Sequence, residues 1–172
     1  MLALAPAAIS PMLGLLMPGH RFVHKDIIQF SDTDMAGIVH FANFFRFMER
    51  AEHAFFRSLG LSIVERDVAM EDNPVGWPRV HASCDFLAPL LFEDEVEIEL
   101  LVEDLRTRAV RYLFRVRKAD GTLAAEGRIA AVCVQKDPER GMKAVEIPAR
   151  IREKLEVAPP EALRRPGPPP ST

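Results

Sequence analysis

Between Phe41 and Leu59 the apolar residues do not keep to one stripe of a helix. Phe41, Phe44, Phe45, Phe47, Met48, Ala51, Ala54 and Phe55 recur at helical spacing and cover much of the circumference. That is the pattern of a helix buried on most sides, unlike a surface helix with one apolar face. At about 1.5 Å per residue, residues 41–59 span about 28 Å, and Gly60 stands where a C-terminal cap is expected. Such a helix needs a surface that wraps it, and a curved antiparallel sheet provides one.

The rest of the chain supplies the strands. Residues 21–31, with Ile27, Ile28 and Phe30, read as a strand leading to the helix, and residues 61–76 as an irregular connection after it. Val80, Ala82, Cys84, Phe86 and Ala88 share one face of a strand that stops near Pro89. Val96, Ile98, Leu100 and Val102 alternate with Glu95, Glu97, Glu99 and Glu103, the pattern of a half-buried strand. Val110, Tyr112, Phe114 and Val116 alternate with Arg111, Leu113, Arg115 and Arg117, and Asp120-Gly121 marks a hairpin into a strand over 122–135. The acidic and basic faces are suited to cross-strand pairing on a solvated sheet surface. A short helix after Pro148 closes the domain. The order is strand, long helix, four strands, in an α+β domain without repeats.

The join between first strand and helix carries the chemistry. Phe30-Ser-Asp-Thr-Asp-Met-Ala-Gly-Ile-Val-His-Phe-Ala-Asn-Phe-Phe45 holds two carboxylates, Asp32 and Asp34, with Gly37 allowing a tight turn. An acid beside a helix N-terminus, whose unpaired N–H groups can stabilise a developing oxyanion, is equipment for acyl transfer. Asp-x-Asp ahead of a helix is also ordinary turn and capping chemistry. Asp32 fits that second role better than the first.

This motif resembles the signature of the 4-hydroxybenzoyl-CoA thioesterase family, the hotdog-fold acyl-CoA thioesterases. Val75-Gly-Trp-Pro-Arg-Val80 through Phe86-Leu-Ala-Pro89 resembles the family's second strand, and Met142-Lys-Ala-Val-Glu-Ile-Pro148 its closing segment. The resemblance covers roughly residues 20–157. It implies a hotdog fold, with a five-stranded antiparallel sheet wrapped on the central helix, and hydrolysis of acyl-CoA to free acid and CoA without a cofactor. It assigns Asp34 as nucleophile or general base and the Phe41 backbone N–H as the group that polarises the thioester carbonyl. Gly37, His40 and Phe44 would line the substrate, and Arg106, Arg108 and Lys143 would hold the CoA phosphates. His40 stands where other members carry Tyr or Trp, and Phe44 replaces a frequent tyrosine. Glu49, one turn before His53 on the helix, is the alternative acid, since other hotdog thioesterases place theirs there. The resemblance also implies a homodimer or homotetramer with sites at the shared boundary. An acyl-carrier-protein thioesterase, a hotdog hydratase or dehydratase, and a non-catalytic acyl-binding protein are the alternatives.

Other chemistries find little support. There is no Gly-x-Ser-x-Gly elbow, Walker-type loop or Gly-x-Gly-x-x-Gly. His20, His24, His40, His53 and His81 have no metal-ligand spacing, so no metal is expected. A net charge of −3 gives no case for nucleic acid or an anionic membrane. Two cysteines, Cys84 and Cys133, both within strands, suit a reducing cytoplasm. Residues 1–19 are apolar but lack a basic leader and are broken by Pro6, Pro11 and Gly14, so they read as a mobile extension. The proline-rich residues 158–172 read as a disordered tail.

Overall fold

The computed structural model describes residues 19–63, 74–137, 139, 141–165 and 167. The expected N-terminal extension through residue 18, most of the 61–76 connection and the end of the tail lie outside the described residues. Strand β1 (Arg21–Ile27) runs into a 3-10 turn at Phe30–Asp32, followed by helix α1 (Asn43–Ser58). Then come β2 (Arg79–Phe86), β3 (Glu95–Leu105), β4 (Ala109–Lys118), β5 (Leu123–Val132), β6 (Val134–Asp137) and β7 (Gly141–Ala144). Two short helices, α2 (Ala149–Arg152) and α3 (Pro160–Leu163), end the described chain. Gly60 takes a left-handed conformation just past α1.

Five strands form one antiparallel sheet in the order β1-β3-β4-β5-β2. The two strands flanking α1 in sequence therefore occupy opposite edges. The expected long strand over 122–135 divides at Cys133: β5 stays in the sheet, whereas β6 leaves it to pair with β7. The expected strand over 21–31 likewise ends at Ile27, because Asp32 accepts the Gln29 N–H at 2.9 Å and closes a turn.

The alternations place Val96, Ile98, Leu100 and Val102, with Val110, Tyr112, Phe114 and Val116, on the inner face. Phe44, Phe47, Met48, Ala51, Phe55 and Phe56 of α1 pack there. Contact is close enough that β5 carries Gly127 beneath the helix. A Cβ at that position would collide with the Met48 methyl and lie 2.8 Å from the Ser83 carbonyl oxygen. The charged outer faces pair across strands as their alternation suggests, with Arg115 3.6 Å from Glu99 and 3.1 Å from Glu126.

One outer region is apolar. Leu101 and Leu113 replace the charge alternation, lie opposite one another in the β3–β4 register, and are covered by Ala158, Ala162 and Leu163. The Ala158 N–H donates to the Val102 carbonyl at 2.8 Å, and the buried Arg115 guanidinium donates to the carbonyls of Ala162, Leu163 and Arg164. Residues 158–165 thus sit on the sheet, in contrast to the disordered tail expected from proline content. Apolar cover and carbonyl bonds outweigh the cost of ordering them.

Candidate active site

The segment between β1 and α1 is fixed from several sides. The buried Asp32 carboxylate holds the 3-10 turn, while its backbone carbonyl accepts the His40 N–H at 2.9 Å and the Asn43 side-chain amide at 2.8 Å. Asp32 therefore orders the turn, as its position in the sequence suggested. The Val39 N–H donates to the Leu90 carbonyl at 2.8 Å, tying the segment to the β2–β3 connection.

Asp34 projects from the tight turn this creates. Its N–H donates to Ile38 O, and the Gly37 N–H returns to Asp34 O, each at 2.9 Å. Gly37 has φ +77, where a side chain would be strained, yet a Cβ would meet nothing within 4 Å. The turn uses that conformation, and Gly37 is not among the residues that line the cleft described below. One carboxylate oxygen, Oδ1, accepts the Ala36 N–H at 2.8 Å. Among the described residues the other oxygen has no partner, and the side chain is exposed.

Helix α1 opens nearby without a capping side chain at Ala42. His40 partly substitutes: its Nδ1 accepts the Ala42 N–H at 3.3 Å, and its ring lies 4.5 Å from that of Phe41. This contact sets the imidazole beside the helix entry. The Phe41 N–H finds no acceptor among the described residues, at the positive end of the helix dipole.

A cleft of about 470 Å³ opens beside these groups. Asp34 and Phe41 stand at it with Ile38, and its walls continue through Phe44 and Phe86 to Leu90. Phe44 is buried, with its ring 5.1 Å from Phe86 at 61° and 5.9 Å from Phe47. The structure thus brings Asp34, Phe41 and Phe44 together, with His40 and Gly37 in the supporting turn. Sequence reasoning had not assigned Phe86, Leu87 and Leu90 to the site. An apolar run at the end of an edge strand, broken by Pro89, was the available signal.

Arg106, Arg108 and Lys143 are elsewhere. The register sets Ile27 against Glu95, whereas Arg106 and Arg108 follow the far end of β3. At about 3.3 Å per residue, the eleven residues of β3 separate them from the Asp34 end by roughly 30 Å. Lys143, opposite Gln135 just beyond β5, shares that distant end. Arg106 is exposed and pairs with Asp104 at 2.8 Å. Within one protomer these cations and Asp34 serve no common small ligand.

Other titratable groups lie apart from the cleft. Glu49 is exposed; it acts on His53 only against a dominant effect, burial, which lowers the imidazole's pKa. Burial pushes the Cys84 thiol up to about 12, so it is no thiolate nucleophile. The sequence reading missed Glu52, fully buried on α1 and paired with Arg79 of β2. The Tyr112 hydroxyl and Trp77 Nε1 are also buried, and neither has a hydrogen-bond partner among the described residues. No helix among the described residues is long and apolar enough to cross a membrane.

A curved antiparallel sheet around one long helix is the hotdog architecture, and comparison with known proteins agrees. The model of the thioesterase-like superfamily matches residues 28–155, and the chain belongs to that family. It is 29% identical over 126 residues to the 4-hydroxybenzoyl-CoA thioesterase of Pseudomonas sp. strain CBS-3, covering 71% of this chain and 88% of the relative. Among solved structures, a mutant 4-hydroxybenzoyl-CoA thioesterase complexed with 4-hydroxybenzoyl-CoA superposes with a TM-score of 0.71 at 25% identity, covering 80% of this chain and 99% of that one. A 1,4-dihydroxy-2-naphthoyl-CoA thioesterase from Synechocystis superposes with a TM-score of 0.69 at 25% identity, covering 78% and 95%. The chain is a hotdog-fold thioesterase.

Proposed function

We propose that this thioesterase hydrolyses acyl-CoA at Asp34, with the acyl group in the apolar cleft. The observation that carries the reading is one free carboxylate oxygen and one unpaired helix-entry N–H beside that cleft. A thioester carbonyl seated there directs its oxygen at the Phe41 N–H, which stabilises the tetrahedral oxyanion. On the nucleophilic route, the Asp34 oxygen adds to the carbonyl carbon, the C–S bond breaks and CoA thiolate leaves. Water then opens the mixed anhydride, returning Asp34 and the free acid. On the general-base route, Asp34 takes a proton from water, the hydroxide adds, and the thiolate leaves with that proton. A single turnover in ¹⁸O-water separates them: water that opens the anhydride at the Asp34 carbonyl carbon leaves its ¹⁸O in the Asp34 carboxyl, whereas on the general-base route all of it enters the released acid.

The assembly we propose is a dimer. Edge strand β2 exposes Val80 at 63% and Phe86 at 51%, and its outer backbone edge is unpaired within the described chain. Two-fold antiparallel pairing through β2 would turn the partner's far end, with its copies of Arg106, Arg108 and Lys143, toward this Asp34. The dimer is preferred to a tetramer through sheet faces because residues 158–165 already cover Leu101 and Leu113. Two unbridged cysteines favour the cytoplasm.

Replacing Asp34 by Asn tests the reading. Thiol release is expected to fall by about 10²–10⁴-fold with unchanged unfolding. Near-normal turnover in the folded variant would transfer the role to Glu49.

A further inference from the structure

The cleft that opens beside Asp34 constrains the acyl group more closely than its volume does. Apart from Asp34, every side chain lining it is apolar. Its backbone donors are largely spent as well. The Val39 N–H is bonded to Leu90 O at 2.8 Å, and those of Leu87 and Ala88 both go to Ala124 O, at 2.8 and 3.1 Å. Pro89 has no N–H. The Asp34 carboxylate and the Phe41 N–H are assigned to the reacting carbonyl, which leaves only backbone groups, chiefly of the Leu87–Leu90 loop, as polar neighbours of the acyl group. Phe44 and Phe86, tilted at 61°, present a ring face and a ring edge to whatever enters.

Resting on the hydrolase reading above, we propose that the enzyme selects acyl groups without a hydroxyl, unsubstituted aryl groups foremost, and discriminates against their hydroxylated counterparts. A hydroxyl carried into this cleft gives up water and meets no polar side chain other than Asp34. A ring without one gives up nothing and gains the aromatic contacts. The two relatives described above are named for hydroxylated aryl acyl groups, so the inference separates this chain from them. Phe44 is the residue that sets the preference, since it forms the buried wall and contacts both neighbouring rings.

Thiol release from benzoyl-CoA and 4-hydroxybenzoyl-CoA tests this, each kcat/KM being divided by the rate of uncatalysed alkaline hydrolysis to remove the electronic effect of the hydroxyl. An apolar pocket rejects an added hydroxyl only moderately, so the expected preference for benzoyl-CoA is about 10- to 100-fold. Phe44→Tyr, or Phe86→Tyr at the half-exposed wall should the buried change impair folding, is expected to narrow that ratio. Parity or a reversed preference in the wild-type protein overturns the inference and leaves the hydrolase reading intact. Calorimetric binding of both thioesters to the Asp34→Asn protein reads the cleft apart from turnover. Tighter binding of benzoyl-CoA there supports the selectivity even if neither compound is hydrolysed, an outcome that would overturn only the hydrolase reading.

Discussion

The Glu52 carboxylate on α1, 1% exposed, accepts a hydrogen bond from the Arg79 guanidinium at the start of β2 and so ties the central helix to the edge strand. Burial pushes Glu52 up to about 7, with Arg79 pulling against that rise. Since this folded-state value lies above the ordinary 4.5, the folded protein retains a proton that the unfolded chain releases between about pH 4.5 and 7. The stabilisation from this group is complete below pH 4.5 and is lost as pH rises through 7. Denaturant unfolding of wild type and Glu52→Gln at several pH values reads this directly. The wild type should lose about 3 kcal/mol relative to the variant across the window; a constant difference would contradict the account.

Removing the other partner has its own consequence at neutral pH. Arg79→Met takes away the group that holds Glu52 down, so Glu52 stays protonated and keeps a buried carboxyl without its partner, at an expected cost of about 1–3 kcal/mol. The double change Arg79→Met with Glu52→Leu should recover most of that loss. If the double variant is as unstable as Arg79→Met alone, the cost arises from altered packing of β2.

Gly127 sets how near the helix approaches the sheet. Gly127→Ala places a methyl 2.8 Å from the Ser83 carbonyl oxygen and against the Met48 methyl. Met48 can turn aside, but Ser83 lies in β2, paired with β5 through Cys84 and Gly127, and moves only with its strand. The expected destabilisation is about 1–3 kcal/mol, checked by thermal unfolding. An unchanged melting temperature would mean that β2 shifts at negligible cost.

Periodicity carried the fold. The inner residues of β3 and β4 alternate without interruption, and α1 lies within two residues of the expected 41–59. Glu52 was harder to read, although it follows Met48 by four residues and precedes Phe56 by four, which sets it on the buried face. A glutamate at such a position signals a buried partner, but its identity depends on β2 crossing the sheet to the far edge. The Phe30–Phe45 motif located the turn, the acid and the helix entry through local geometry. The Phe86–Leu90 wall and the distant position of Arg106 and Arg108 follow from strand order, which residue alternation does not encode.

The seat of the C-terminal segment was also partly legible, since Leu101 and Leu113 interrupt otherwise charged outer faces. Arg115, 3% exposed, fastens that segment while pairing with Glu126. Arg115→Met is expected to take from Glu126 its nearest cation, leaving Arg128 at 3.8 Å and Arg165 at 3.7 Å, and to loosen residues 158–165, at a cost of about 1–3 kcal/mol. Faster amide exchange at Ala158, whose N–H is bonded to Val102 O, is the local readout. Retained protection there would show that apolar cover alone holds the segment.

The distance between Asp34 and the cations gives a test of the proposed dimer. Changing Arg106, Arg108 and Lys143 together to Ala should raise KM for acyl-CoA with little effect on kcat, because phosphate contacts remote from the thioester add ground-state binding. Thioesters of pantetheine, which lack the nucleotide, should be unaffected. The triple variant is then co-refolded with Asp34→Asn. If the cations act across the dimer, a mixed dimer contains one site with an intact Asp34 and the partner's intact cations, and a low-KM activity appears that neither parent has. If they act within one chain, every intact Asp34 sits with altered cations and only high-KM activity remains. The second outcome would refute the shared site, and with it the reading that the roughly 30 Å set by β3 keeps these residues from the same CoA within one protomer.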